Sequence, residues 1–356
     1  MVDMSREQRK LDHIRYALEI GDGPLANGFA DVHFLHNCLP ELAPADIDIT
    51  TTLGGIKLSV PFLINAITGG TDNVIDVNLK LAQTAKAVGA AMAVGSQYGA
   101  VKSRSSYRSF EVVREVYPDG IIFANISALA TPAEAAEAVR MLAADALQIH
   151  LNPAQELVMP EGDRDFKGLL YNMRSILEQS EVPVIVKETG CGMAAEQISQ
   201  MLAAGFTWFD IGGAGGTNFP AIEAKRFTSQ KTVLAEWGLA AAKTLIEAFS
   251  VCNGNNIIIA SGGIRDGLTA AKAFALSADA VGMAGNILHY IMEDGVEAAQ
   301  KALTEMITDL RMIMLLTGCS NLKALRKTPL YFTGELREFL LGRNYDIPKI
   351  SAGRKR

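Results

Sequence analysis

The segment Gln148-Ile149-His150-Leu151-Asn152-Pro153-Ala154-Gln155-Glu156 gathers polar side chains at the end of an apolar run. On a strand, residues 148, 150 and 152 share one face, and Gln155 and Glu156 follow on the loop above. A lone carboxylate among neutral oxygen and nitrogen groups suits Mg²⁺, which keeps several waters and also binds substrate phosphates. Zinc would want more His or Cys. Taken alone, His150 reads as a hydrogen-bonded interior histidine. Taken together, the segment reads as a site that orders a metal and orients a substrate.

Lys187 ends a second apolar run. An ammonium in such a place needs an anionic partner, because desolvation otherwise depresses its pKa. The edge of a flavin ring is one such partner. A Schiff-base lysine of the aldolase type is the alternative. Glycines mark the later loops: Gly212 to Thr217, then Ser261-Gly262-Gly263-Ile264-Arg265-Asp266-Gly267, then Met283-Ala284-Gly285-Asn286. Glycine lets bare backbone amides approach an anion at a helix N-terminus. Tight strand-to-helix turns would use the same residues. Near the start, Arg9-Lys10-Leu11-Asp12-His13 holds three phosphate-binding types; by itself this is an ordinary solvated basic face. Ser103-Arg104 and Arg108 read either way.

Eight apolar runs must position these groups: Pro61–Thr68, Ala90–Ser96, Gly120–Ser127, Ala146–Leu151, Pro183–Thr189, Trp208–Gly213, Ile257–Gly263 and Ala280–Gly285. They are apolar throughout rather than alternating, as in parallel strands buried on both faces. Helix-period segments separate them, among them Val74–Val88, one opened by Thr131-Pro132, Ala194–Ala204, Leu239–Phe249, Leu268–Leu276 and the long Gly295–Leu316. Eight such alternations predict a (β/α)₈ TIM barrel over residues 61–330, with an open doubly wound sheet as runner-up. The candidates then sit at strand ends, where barrels keep their active sites. Residues 1–60 form an N-terminal extension ending in a hairpin, Ile47–Leu53 and Ile56–Val60 around Gly54-Gly55, suited to plug the barrel bottom. Residues 217–237 are too long for a minimal loop and predict a lid or side wall. The tail, 331–356, predicts a short helix and a loose end.

Composition is that of an ordinary globular enzyme, 49% hydrophobic and 20% charged, with room for a large core. Net charge is −6 and the only basic tail is four residues long, which excludes a nucleic-acid footprint. Four scattered cysteines without metal spacing predict reduced thiols. The polar start and the lack of a run of about 18 apolar residues predict a cytoplasmic chain with no membrane span.

The motifs resemble those of type 2 isopentenyl diphosphate isomerases. The resemblance covers about residues 6 to 330. It is carried by Arg9-Lys10-x-Asp12-His13, Ile67-Thr68-Gly69-Gly70, Val94-Gly95-Ser96-Gln97, His150 to Glu156, Val186-Lys187-Glu188, Gly212 to Asn218 and Gly262-Gly263-Ile264-Arg265, in order and spacing. It implies FMN, Mg²⁺ and a reductant such as NADPH, and an assembly of four or eight copies. It implies FMN contacts from Thr68, Ser96, Asn125, Lys187, Thr217, Gly262, Gly263, Arg265, Ala284 and Gly285. Arg9, Lys10 and His13 would meet the diphosphate of a small isoprenoid substrate, across a subunit boundary in some assemblies. Asn152 and Gln155 would lie near the isoprenoid carbons, and Glu156 would bind the metal. Some members carry Arg where Tyr98 stands here, so one diphosphate contact differs; Arg104 is its potential replacement.

Moving a double bond adds a proton at one carbon and removes one at another. An unactivated alkene is a poor base, so the acid must be very close in a dry site. No pair of acidic side chains dominates the candidates. The expected acid–base group is therefore reduced flavin, with Lys187 stabilising its anionic form, Gln155 positioning the alkene, and His150 and Asn152 completing the reacting set. A 2-hydroxy-acid oxidase would need a histidine where strand six ends Asp210-Ile211-Gly212-Gly213. A dehydrogenase of the inosinate type would need a cysteine in Gly212 to Asn218. A phosphate-binding barrel without catalysis would leave the polar cluster unused.

Overall fold

The computed structural model describes residues 2–103, 106–227 and 232–352, with side chains of the first helix from Gln8 onward. Arg104 lies outside the described residues. Eight parallel strands close a barrel: β1 (Phe62–Ile64), β2 (Ala91–Ala93), β3 (Ile122–Ser127), β4 (Ala146–Leu151), β5 (Val184–Glu188), β6 (Trp208–Asp210), β7 (Ile257–Ser261) and β8 (Ala280–Met283). Neighbours in sequence are neighbours in space, and β8 returns to β1 with Val281 opposite Phe62 and Met283 opposite Ile64. Each predicted run holds one strand, so the open-sheet alternative is excluded.

Local chemistry explains the helices between them. Pro132–Leu142 starts with a full capping box. Thr131 Oγ1 accepts from the Glu134 amide at 3.3 Å, the Thr131 amide donates to Glu134 Oε2 at 2.7 Å, and Pro132 takes the first turn. The long helix runs Val296–Leu316 and packs on the helices after β1 and β7.

The barrel interior is layered by the two-residue period of its strands. Leu63, Phe123, Ile185 and Ile259 point inward and form an apolar lower layer. Two residues further along the same four strands stand Asn65, Asn125, Lys187 and Ser261, all buried and all polar. The interior thus changes from oil to hydrogen bonds within one step of each strand. Below, the hairpin Thr51–Leu53 and Ile56–Leu58 seats Leu53 and Leu58 in the same apolar layer. Gly54 has a positive φ of 51°, and any Cβ there would strike the Trp208 ring. Glycine is therefore required for the turn and for its seat.

After β6, the helix Phe219–Phe227 and the 3₁₀ turn Val233–Glu236 pack together. That helix also touches the N-terminal helix Val2–Ile20 and the short helix Pro153–Val158. The C-terminal part differs from the predicted short helix and loose end. Leu330–Phe332 pairs antiparallel with Val32–Phe34, and the helices Gly334–Gly342 and Ile347–Ser351 follow. Its apolar residues Phe332, Leu336, Leu340 and Ile350 are buried, which ties the segment down. Among the described residues, no helix is long and apolar enough to cross a membrane.

Candidate active site

A cavity of about 390 Å³ opens at the C-terminal strand ends. Arg9, Lys10, His13, Ser96, Asn125, His150, Asn152, Gln155, Glu156, Lys187, Thr217, Gly262, Gly263, Arg265, Ala284 and Gly285 all line it. Thr68 stands just behind the wall; it is 1% exposed, and its hydroxyl has no hydrogen-bond partner among the described residues. The N-terminal helix lies over the mouth of its own barrel, with Arg9, Lys10, His13, Ile14 and Ala17 turned inward on one face.

One end of the cavity is made of backbone. Gly262 and Gly263 have φ of 112° and 69°, and a Cβ on either would strike a carbonyl of Gly213 or Gly215. The loops after β6 and β7 are thus pressed together at bare backbone. The helix Gly285–Glu293 begins at Ala284 with no capping side chain, and Gly285 and Asn286 line the cavity. Its first amides are available to an anion. The helix Gly267–Ala275, after β7, is different: Asp266 caps it by accepting from the Thr269 amide at 2.6 Å. The available helix start is therefore the one after β8. Arg265 is held at the rim by Asp22 and by the Gly215 carbonyl at 2.8 Å.

The other end carries cations around one buried carboxylate. Glu223 is fully buried. Its Oε1 accepts from His13 Nε2 at 2.7 Å and from Gln155 Nε2 at 2.7 Å, and Oε2 pairs with Arg226. Burial alone would raise the Glu223 pKa; the His13 and Gln155 donors and the Arg226 charge overcome it and hold the group below the usual range. Burial lowers the His13 pKa, with Lys10 and Arg9 adding to the effect and Glu223 opposing it. Alongside, Asn152 Nδ2 donates to Gln155 Oε1 at 3.1 Å and to Glu156 Oε1 at 2.9 Å, while the Asp163 amide holds Glu156 Oε2 at 3.0 Å. Among the described residues, no cluster of three or more His, Cys, Asp or Glu could enclose a metal. Glu156 is a carboxylate oriented by these donors, and Glu161 and Asp163 also line the cavity.

Between the ends, Lys187 Nζ stands 3.4 Å from Asp210 Oδ2, at the floor of the cavity. His150 faces the cavity above, and burial with the nearby Lys10 and Lys187 charges lowers its pKa to about 4. It is neutral near pH 7. Cys191, after β5, is a poor nucleophile, because burial pushes its thiol up to about 12. Tyr98 lines the wall, with its hydroxyl 2.5 Å from Lys102 Nζ.

Glu188 is buried behind Lys187, and burial raises its pKa to about 8 despite the Cys191 and Gly192 amides at 2.6 and 2.8 Å. A carboxyl whose pKa is raised on folding stabilises below its unfolded value, and that contribution is lost as pH rises through the folded value. Relative to Glu188→Gln, which has no proton to lose, wild type should therefore become less stable as pH rises from 4.5 to 8, whatever the other groups contribute to both proteins. Parallel melting curves of the two across that range would disprove the buried acid.

Three participants escaped sequence reading. Glu223, three residues before Arg226, looks like a solvated helix pair. Asn65 is hidden in the apolar run before Thr68; its one signal is the two-residue step from Leu63. Asp210 looks in sequence like an ordinary strand end.

The fold and the cavity define a (β/α)₈ enzyme barrel. A model of the FMN-dependent dehydrogenase family matches residues 169–331. A mandelate oxidase mutant solved with a monooxide FMN adduct superposes with a TM-score of 0.65 at 16% identity, over 93% of this chain and 100% of that one. A lactate oxidase from Pediococcus acidilactici gives 0.69 at 16%, over 90% and 91%. At full length, the chain is 45% identical to an isopentenyl-diphosphate delta-isomerase of Geobacillus sp. (strain WCH70), over 96% of this chain and 98% of that protein. It is 44% identical to that of Moorella thermoacetica, over 96% and 97%. The chain belongs to the isopentenyl-diphosphate delta-isomerase family.

Proposed function

We propose that this enzyme isomerises isopentenyl diphosphate to dimethylallyl diphosphate, with FMN and Mg²⁺ as its resident groups. The carrying observation is the polarity of the cavity. Cations occupy one end, together with carboxylates of which Glu156 is the oriented one facing the cavity; bare amides occupy the other, and a neutral histidine and a lysine lie between. Two phosphate-bearing molecules fit such a cavity end to end.

The residues fit FMN. An uncapped helix start and a glycine wall that any Cβ would block suit its phosphate. Lys187 and the orphaned Thr68 hydroxyl suit its ring edge. Reduced FMN, when bound, supplies exchangeable ring protons beside the substrate, which no side-chain acid in this cavity replaces. Arg9 and Lys10 bind the diphosphate as a fork and a point charge respectively. His13, fixed by Glu223, presents its other ring nitrogen. Gln155 is held at both ends of its amide, by Asn152 and Glu223, and so can orient the alkene without moving. Glu156 would hold Mg²⁺, which would offset charge on the diphosphate when bound. NADPH as flavin reductant and an assembly of four or eight copies belong to the same reading.

Anaerobic incubation with FMN, NADPH, Mg²⁺ and isopentenyl diphosphate in D₂O tests it. Deuterated dimethylallyl diphosphate should form only when the flavin is reduced. Bound reduced flavin without product would remove the substrate assignment. For the metal, Glu156→Gln should raise the Mg²⁺ concentration needed for half-maximal rate by about 10–100-fold. A Mg²⁺ dependence equal to wild type would show that Glu156 is no ligand.

A further inference from the structure

A line of side-chain amides crosses the barrel beneath the cavity. His150 Nδ1 lies 2.8 Å from Asn125 Oδ1. Asn125 Nδ2 donates to Gln148 Oε1 at 3.3 Å, Gln148 Nε2 to Asn65 Oδ1 at 3.0 Å, and Asn65 Nδ2 to Asp210 Oδ2 at 2.6 Å. Each amide has one donor end and one acceptor end, so it transmits the direction it receives. Either direction would suit the amides themselves. Asp210 decides, because a carboxylate paired with Lys187 can only accept. Asn65 must turn its NH₂ to Asp210 and its oxygen to Gln148. Gln148 must then turn its oxygen to Asn125, and Asn125 its oxygen to His150. Other contacts pin the same orientations: the Ala66 amide donates to Asn65 Oδ1 at 2.9 Å, and Ser261 Oγ fills Asp210 Oδ1.

We propose that Asp210 is a positioning residue that sets the tautomer of His150 through this relay. His150 carries its proton on Nδ1, and Nε2 keeps its lone pair; the backbone of Ile126 also hydrogen-bonds the imidazole, so a local influence acts beside the relay. His150 therefore accepts a hydrogen bond in the cavity; it neither donates one nor acts as an acid. All members of the relay but His150 are buried, so a reversed member would leave two oxygens or two NH₂ groups facing each other away from water. The relay explains why β1, β3 and β4 carry Asn65, Asn125 and Gln148 at inward positions that an ordinary barrel fills with aliphatic side chains. The tautomer assignment rests on this geometry alone; its catalytic consequence rests on the isomerase reading above.

The test is ¹⁵N NMR of the FMN-bound enzyme labelled at histidine, with the His150 pair identified by its loss in His150→Gln. Wild type should show a protonated Nδ1 and an unprotonated Nε2. The reverse pattern would overturn the proposal in one spectrum, whatever the enzyme's activity. Asp210→Asn can donate as well as accept, so it should shift the two resonances toward a tautomer mixture. Gln148→Leu, which cuts the relay while leaving Asp210 with Lys187, should do the same, and it covers the case that Asp210→Asn fails to fold. Unchanged resonances in both variants would show that the tautomer is set locally. In turnover, Gln148→Leu should lower kcat about 10–100-fold with KM changed far less. Restored rate in Gln148→Asn, read together with a restored resonance pattern, would separate positioning from packing.

Discussion

Glu223→Ala should lower kcat/KM for isopentenyl diphosphate by at least about a hundredfold, and should also cost about 3–5 kcal/mol of stability, the range for breaking a buried ion pair. Both effects come from one buried carboxylate with three donors on three elements. Without it, Arg226, 7% exposed, keeps as carboxylate partners among the described residues Glu161 at 3.6 Å and Asp12 at 3.8 Å. His13 and Gln155 lose the acceptor that fixes them against each other, so both the diphosphate end and the alkene end loosen. Glu223→Gln separates the two losses. Its amide oxygen can still receive His13 and Gln155, so most activity should return, while Arg226 loses its nearest carboxylate and keeps only the longer Glu161 and Asp12 pairs, so stability should not return in full. The pH dependence has a definite sign. Glu223 and His13 both have folded pKa values below their ordinary 4.5 and 6.5, so their contributions are present at high pH and disappear as pH falls. Wild type should lose stability first below pH 6.5 and again below pH 4.5, and Glu223→Ala should lose less over the lower range. Full activity in Glu223→Ala would show that the hub does not organise the site.

Lys187→Met should release FMN. The variant should pass through a desalting column nearly colourless under conditions where wild type stays yellow, with flavin affinity reduced by about a hundredfold or more, the scale of a lost buried charge contact. It should also melt earlier, because Asp210, fully buried, keeps the Asn65 and Ser261 donors but loses its cation. Adding Asp210→Asn to Lys187→Met should recover stability without recovering flavin, since the two side chains are in contact and their effects are not additive. A yellow Lys187→Met protein would place the lysine outside the flavin contact.

The barrel was legible in the sequence because burial on both faces leaves an unmistakable record: eight apolar runs ending in small or polar residues. The glycine loops were legible as loops. Which of them frees a helix start was not, because Asp266 caps one helix and nothing caps the other, and that distinction is a matter of side-chain reach. The C-terminal segment is not legible in the sequence because Leu330–Phe332 finds its partner almost 300 residues away, at Val32–Phe34. No local pattern announces such a pairing.

The sequence by itself determined the class of fold, the strand ends that carry chemistry and the family motifs from Arg9 to Arg265. Those are properties of residue type and short spacing. The tertiary structure alone decided which charges meet. Glu223 lies 210 residues from His13 and 68 from Gln155, yet binds both. Asp210 reaches His150 only through side chains of three other strands. Hydrogen bonds between side chains depend on closing the barrel and laying the first helix over its mouth, and that closure is set by burial of the whole core.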